Sequence, residues 1–102
     1  MAFDFQRRRA SFPTHSGSPQ VMEFAFEFPS NVRTAEAALN GFNIGYTNGD
    51  HHLLRTEIDT LVTSISLNTV RVRVTFALRD SSGTFDDPFN GFVDFMVIVD
   101  RV

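Results

Sequence analysis

The residues best suited to metal chemistry cluster near the middle of the chain. Asp50, His51 and His52 are consecutive, and Glu57 and Asp59 follow within a few positions. Successive side chains of a strand point to opposite faces, so His51 and His52 cannot bind one ion without a bulge between them. Protein metal sites need several convergent ligands. The spacing therefore favours a polar strand start after a turn, and no metal site is expected.

A second candidate is the acidic segment of residues 80–87. Its sequence, Asp-Ser-Ser-Gly-Thr-Phe-Asp-Asp, offers carboxylates and hydroxyls that could surround a Ca²⁺ ion. The order does not match an EF-hand loop, which closes with a bidentate Glu. Asp and Ser are also common in loops because they hydrogen-bond to the local backbone. We therefore expect an ordinary polar loop here.

A third candidate is the row formed by Arg71, Arg73 and Arg79 on one face of a predicted strand. The next strand along the chain carries Asp94 and Asp100, so cross-strand ion pairs are the expected arrangement. The alternative is an arginine cluster at a subunit junction or an anion site. A planar guanidinium that binds carboxylates and other anions through two hydrogen bonds suits either role.

Enzymatic chemistry is not expected from this sequence. Its serines lie outside any nucleophile-elbow pattern, and no glycine-rich phosphate loop is present. The absence of Cys excludes disulfides, thiolate metal sites and a Cys nucleophile. We therefore predict a non-enzymatic protein that needs no cofactor.

The charge of the chain limits its partners. The net charge of −3 argues against a general nucleic-acid-binding protein. No apolar run approaches the roughly 20 residues that span a bilayer, so membrane insertion is not expected. All nine basic residues are Arg, a residue that is enriched at interfaces where Lys is depleted, and this favours self-association. No hydrophobic segment follows Arg7-Arg8-Arg9, so we predict a cytoplasmic protein or one exported without a cleaved signal.

The first twenty residues have the least regular pattern. Pro13, Gly17 and Pro19 interrupt them, and Ser and Thr fill the gaps. Phe3 and Phe5 are nevertheless unusual in a segment left in water. We predict an N-terminal arm over residues 1–20, partly flexible or docked on its own domain or a neighbour, followed by a single domain over residues 21–102.

Periodicity in residues 21–102 predicts an all-β fold. Apolar residues alternate with polar ones from Val21 to Phe28, the pattern of a half-buried strand. Residues 32–39 fit either a short helix or a strand, and the surrounding strands favour the latter. Asn48-Gly49 predicts a hairpin that joins residues 42–46 to residues 51–60. About six strands with turn signals every 8–12 residues predict a small antiparallel six-stranded β-sandwich.

The last predicted strand, residues 92–101, is apolar on both faces. One face has Val93, Phe95, Val97 and Val99, and the other has Phe92, Met96 and Ile98. Such a strand usually lies between two layers, and another copy of the chain is the simplest cover in so small a domain. We therefore predict an oligomer interface that contains Phe92, Met96, Ile98, Arg71 and Arg73.

The order of these segments resembles the H-type lectin domain over residues 24–102. An early strand ends at Phe28-Pro29, and a Val-rich segment and Leu53-Leu54-Arg55 follow. Residues 68–74 read Asn-Thr-Val-Arg-Val-Arg-Val, and the closing strand contains Val97-Ile98-Val99-Asp100. The resemblance implies a six-stranded sandwich that forms trimers or hexamers. It also implies binding of galactose or N-acetylgalactosamine in grooves between subunits, without catalysis.

The resemblance also points to candidate sugar-contacting residues. The strand end that contacts sugar in the family, often through a Trp near a His, corresponds here to residues 76–80, which contain neither. The implied carbohydrate-binding residues are Arg55, Arg79, Asp80, Tyr46, His51 and His52. The sequence therefore predicts a lectin-like homo-oligomer that binds glycans at subunit junctions. The alternative is a structural or assembly protein on the same scaffold without sugar recognition.

Overall fold

The computed structural model describes residues 2–47, 53–80 and 87–102, with only the backbone at Leu53, Leu54 and Asp80. These residues form no helix, and hence none that could cross a membrane. The strands are β1 (Ala2–His15), β2 (Gln20–Glu27), β3 (Val32–Tyr46), β4 (Leu53–Ser66), β5 (Thr69–Asp80) and β6 (Phe89–Arg101).

The six strands form two antiparallel sheets of three strands each. Sheet 1 has the order β1-β6-β3, and sheet 2 has the order β2-β5-β4. Each central strand is thus flanked by two partners, and the ladders on both sides are antiparallel. The predicted all-β architecture of six antiparallel strands is confirmed. Strands of up to 15 residues give the molecule a long axis of 49 Å.

Alternation of side chains explains why these segments form strands. In β5, Val70, Val72 and Val74 are fully buried, whereas Arg71 and Arg73 between them are exposed. Successive side chains of a strand face opposite sides, so β5 presents its valines to the other sheet and its arginines to solvent. The ambiguous residues 32–39 belong to β3, which confirms the strand interpretation over the helical one.

Phenylalanine rings join the two sheets. Phe95 of β6 lies edge-on to Phe26 of β2, with ring centroids 5.8 Å apart, and it also contacts Phe24 at 5.3 Å. Phe12 of β1 stacks on Phe76 of β5 at 4.4 Å. Such ring pairs each contribute about 0.5–1.5 kcal/mol beyond the burial of their area. Aromatic contacts therefore join sheet 1 to sheet 2 through the core.

Residues 2–15 of the predicted N-terminal arm form β1, an edge strand of sheet 1 in the same chain. β1 pairs with β6 from Ala2 opposite Arg101 to Phe12 opposite Gly91. Ala10 and Phe12 are buried in the core, which anchors the strand. The predicted boundary at residue 21 therefore falls after a strand that belongs to the sandwich. The arm was predicted because Pro13, Gly17 and Pro19 interrupt the pattern of residues 1–20.

The predicted hairpin around Asn48-Gly49 is wrong, although the turn itself lies outside the described residues. Among the described strands, β3 pairs with β6 in sheet 1, and β4 pairs with β5 in sheet 2. The connection between β3 and β4 therefore crosses from one sheet to the other. Each strand buries one apolar face against the opposite sheet, and this burial, rather than the Asn-Gly signal, determines which strands pair.

The predicted ion pairs between β5 and β6 are also wrong, because these two strands lie in different sheets. Arg73 instead approaches Glu23 of β2, with Nη2 3.3 Å from Oε1. Arg79 donates from Nε to Oε1 of Glu57 on β4 at 3.2 Å. Arg73 and Arg79 of β5 therefore pair with carboxylates within sheet 2.

Candidate functional site

The solvent-facing side of sheet 1 carries side chains from all three of its strands. The ladder register places them in rows across the face: Phe5, Ile98 and Glu36; then Arg7, Met96 and Ala38; then Arg9, Asp94 and Gly41. Directly opposed residues of an antiparallel pair point to the same face and contact each other. One half of this face is thus apolar and the other half is charged.

The apolar half forms a patch of Phe3, Phe5, Met96 and Ile98, here called the apolar patch. Phe3 is 78% exposed, Phe5 57% and Ile98 41%. These side chains, with Asp4, line a shallow pocket of ≈ 250 Å³. Since a phenylalanine presents about 150–250 Å² of surface, the two rings alone leave roughly 270 Å² in contact with water. With Ile98 and Met96 the patch falls within the range of about 300–600 Å² of the largest apolar patches on soluble monomers, which are often functional.

The charged half forms a groove, here called the arginine groove, beside the patch. It has a volume of ≈ 460 Å³ and is lined by Arg7, Arg8, Arg9, Asn40, Gly41 and Asp94. The ladder between β3 and β6 shifts register between Leu39 and Gly41, so Asn40 has no partner across the strand. The bulge therefore places Asn40, which has no cross-strand partner, and Gly41, which has no side chain, on the β3 wall of the groove.

Arg9 and Asp94 form an ion pair with two hydrogen bonds in the groove. Arg9 donates from Nε to Oδ1 of Asp94 at 2.7 Å and from Nη2 to Oδ2 at 3.0 Å. The same guanidinium lies 3.8 Å from the centre of the Phe92 ring. Two parallel hydrogen bonds and a ring contact hold the planar group in one orientation.

This pairing has a predictable effect on ionisation. The hydrogen bond from Arg9, aided by its charge and opposed by partial burial, holds the pKa of Asp94 below its usual value. We expect the Arg9→Gln variant to raise the pKa of Asp94, measured from the side-chain carboxyl shift in an NMR pH titration. The pair stabilises the fold above the unfolded-state pKa and loses that effect as pH falls through the folded-state pKa.

A matched control is Arg33→Gln, since Arg33 is exposed and lies near the start of β3, away from the groove. This variant is expected to leave the titration of Asp94 unchanged. An identical Asp94 midpoint in wild type and Arg9→Gln would contradict the assigned pair.

Arg8 has a different role from its two neighbours in the sequence. Its guanidinium lies 4.4 Å from the centre of the Phe26 ring and 5.7 Å from that of Phe24. Both rings belong to sheet 2, so Arg8 covers the edge of the core between the sheets. Its charged group is thus held on aromatic rings on the inner side of sheet 1, although the residue also borders the groove.

The residues predicted to bind carbohydrate do not form one surface. Arg55 and Arg79 lie together on the solvent face of sheet 2, where both approach Glu57 at 3.9 and 3.2 Å. Tyr46, at the end of β3, packs against the core from sheet 1. Asp80 ends β5. His51 and His52 lie outside the described residues, as do residues 81–86 of the acidic loop.

The predicted oligomer interface divides between the two sheets. Phe92, Met96 and Ile98 share the outer face of sheet 1, whereas Arg71 and Arg73 lie on the outer face of sheet 2. Sequence reasoning missed the contribution of β1, which adds two phenylalanines to the patch and three arginines to the groove. The alternation of Phe3, Phe5, Arg7 and Arg9 was the available signal.

Among residues 2–47, 53–80 and 87–102, no group of three or more His, Asp or Glu side chains is placed to hold a metal ion. Comparison of the chain with protein-family models, with curated proteins and with solved structures finds no significant match.

Proposed function

We propose that the protein is a non-enzymatic, homo-oligomeric carbohydrate-binding module with an H-type-lectin-like sandwich. Copies associate through the apolar patch, and a glycan of the galactose or N-acetylgalactosamine type binds in the arginine groove at the subunit junction. One observation carries the proposal. The apolar patch and the polar groove adjoin on a single face of sheet 1, so covering the patch places a second subunit beside the groove.

The charges around the patch support a second copy as its occupant. Arg7 of β1 and Glu36 of β3 lie on opposite sides of β6, in neighbouring rows of the ladder. Neither forms an ion pair within the described part of the chain. A copy turned about an axis along β6 brings the positive side of one face over the negative side of the other. The apolar patch then supplies the buried area, and these charges set the orientation.

The chemistry of the groove supports a saccharide as its ligand. Asn40 and Arg7 offer donors for hydroxyl groups, and Asp94 offers acceptor oxygens. The lowered pKa of Asp94 keeps it ionised, so it suits an acceptor rather than a general acid. The two three-stranded sheets agree with the architecture that the resemblance implies.

A structural protein without sugar recognition is the second candidate, and one contact favours it. Arg9 lies over the Phe92 ring, the aromatic surface on which a sugar would otherwise stack. Its ion pair with Asp94 also satisfies both groups without a ligand. On this reading the face of sheet 1 serves assembly alone.

A glycan array probed with the full chain, combined with sedimentation velocity, separates these functions. We expect binding to at least one glycan with a terminal galactose-type sugar and a mass that is a multiple of 11.5 kDa. A multiple of that mass with no glycan bound would favour the structural role. A monomer that binds no glycan would refute both.

A further inference from the structure

The arginine groove has an excess of positive charge in a chain that is negative as a whole. Three arginines and one aspartate line it, whereas the chain has a net charge of −3. Asp94 is already paired with Arg9, and the Arg8 guanidinium lies over the Phe26 ring on the inner side of sheet 1, so Arg7 is the cation that is not neutralised within the groove. A local field of this sign attracts anions and disfavours cations.

Arg7 is the groove residue available to bind an anion. Arg9 is committed to Asp94, and Arg8 lies on the rings of Phe26 and Phe24. Arg7 is exposed, and within the described residues its side chain forms no hydrogen bond, ion pair or ring contact. A guanidinium has five donors, so Arg7 can bind a carboxylate or sulfate through its planar fork even where it also faces Glu36 of a second copy.

The opposite wall leaves room for a sugar ring beside that anion. Gly41 has no side chain, and an added Cβ there would meet no atom within 4 Å. Asn40, at the bulge, adds an amide that can donate to and accept from sugar hydroxyls. The groove therefore combines one residue suited to an anion with a neutral hydrogen-bonding side chain on its opposite wall.

From this geometry we infer that the preferred ligand is an acidic saccharide, with a carboxylate or sulfate group bound by Arg7. The inference rests on the proposed glycan-binding function and narrows its substrate class. Arg7 acts as the residue that discriminates charged from neutral sugars, and Asn40 and Asp94 contact the hydroxyls that both share.

The test is calorimetric titration of the full chain with lactose, sialyllactose and sulfated lactose. The two acidic sugars carry the two possible anions, and lactose is their neutral counterpart. We expect at least one acidic sugar to bind ten-fold or more tightly than lactose in wild type. Arg7→Gln should abolish the preference for the acidic sugar over lactose, whatever its effect on the affinity for lactose itself, and Arg7→Lys should retain part of that preference. The advantage should shrink at high salt, because the interaction is exposed.

Arg33→Gln is the matched control, since it removes an exposed arginine of β3 outside the groove and should bind like wild type. Equal binding of neutral and acidic sugars by wild type would overturn the inference and leave the proposed function standing. An acidic preference that persists in Arg7→Gln would overturn the assignment to Arg7. Binding of none of the three sugars, with an empty glycan array, would overturn the proposed function as well.

Discussion

Replacing Gly91 by alanine is expected to lower the free energy of unfolding by about 3 kcal/mol or more. Gly91 has φ of +150°, a region that residues with a Cβ rarely occupy, at a cost of about 1–3 kcal/mol. An added Cβ would lie only 1.9 Å from the carbonyl oxygen of Asn43. Because that atom belongs to the backbone of β3, the alanine can be accommodated only if β3 moves away from β6.

The substitution at Gly91 is expected to disturb the pairing of all three strands of sheet 1. Gly91 lies opposite Ile44 of β3 and Phe12 of β1, so both ladders of sheet 1 meet at this position. Each ladder hydrogen bond that opens costs about 0.5–1.5 kcal/mol in addition to the strain. A loss of this size is a large fraction of the 5–15 kcal/mol that stabilises a typical domain.

Gly45→Ala is the matched control. An added Cβ at Gly45 would meet no atom within 4 Å, and its φ is not in the left-handed region. We expect this variant to stay within about 1 kcal/mol of wild type in chemical denaturation. Equal losses in Gly91→Ala and Gly45→Ala would show that the close approach of Gly91 to Asn43 does not limit stability.

Placing an aspartate at Ile98 is expected to dissociate the proposed oligomer. Ile98 lies at the centre of the apolar patch, between Phe5 and Glu36. In the assembled state the new carboxylate would be buried without a partner, at a cost of about 3 kcal/mol or more, which corresponds to roughly 100-fold weaker association. Sedimentation velocity should then report a species near 11.5 kDa, with the far-ultraviolet spectrum of the β-sheets retained.

Leu61→Asp provides the control, because Leu61 is comparably exposed but lies on the outer face of sheet 2. It should leave the mass of the assembly unchanged. Phe5→Asp, in the neighbouring strand of the patch, should reproduce the effect of Ile98→Asp. An unchanged mass in both patch variants would place the contact between copies elsewhere on the molecule.

The sequence predicts the strands whose apolar side faces the core. β2 and β5 follow strict alternation, so their buried faces could be assigned before the structure. β1 could not be assigned in this way, because its inner face includes Gln6 and Arg8 at the edge of the sandwich. Gln6 donates to the carbonyl of Glu27 in sheet 2, and Arg8 covers aromatic rings there. Because these inward-facing residues are polar, β1 lacks the apolar alternation of a strand that faces the core, and its sequence looks like that of an exposed segment.

Pairing between strands was harder to predict than the strands themselves. Alternation shows which face of β5 is apolar, but it does not show which strand lies beside it. Arg9 and Asp94 are 85 positions apart, and their ion pair exists because β1 and β6 are neighbours in sheet 1. The apolar outer face of β6 could be predicted from Phe92, Met96 and Ile98 alone. The arginine groove could not be predicted in this way, because it forms only where β1, β6 and β3 lie side by side.

The claim that one face of sheet 1 both joins copies and binds a saccharide is tested most directly by calorimetry on the Ile98→Asp variant. The ligand in this experiment is the saccharide that wild type binds most tightly. We predict that its affinity falls ten-fold or more in Ile98→Asp, since the groove loses the wall supplied by the second copy, and is unchanged in Leu61→Asp. A folded, monomeric Ile98→Asp protein that binds the saccharide as tightly as wild type would contradict the claim.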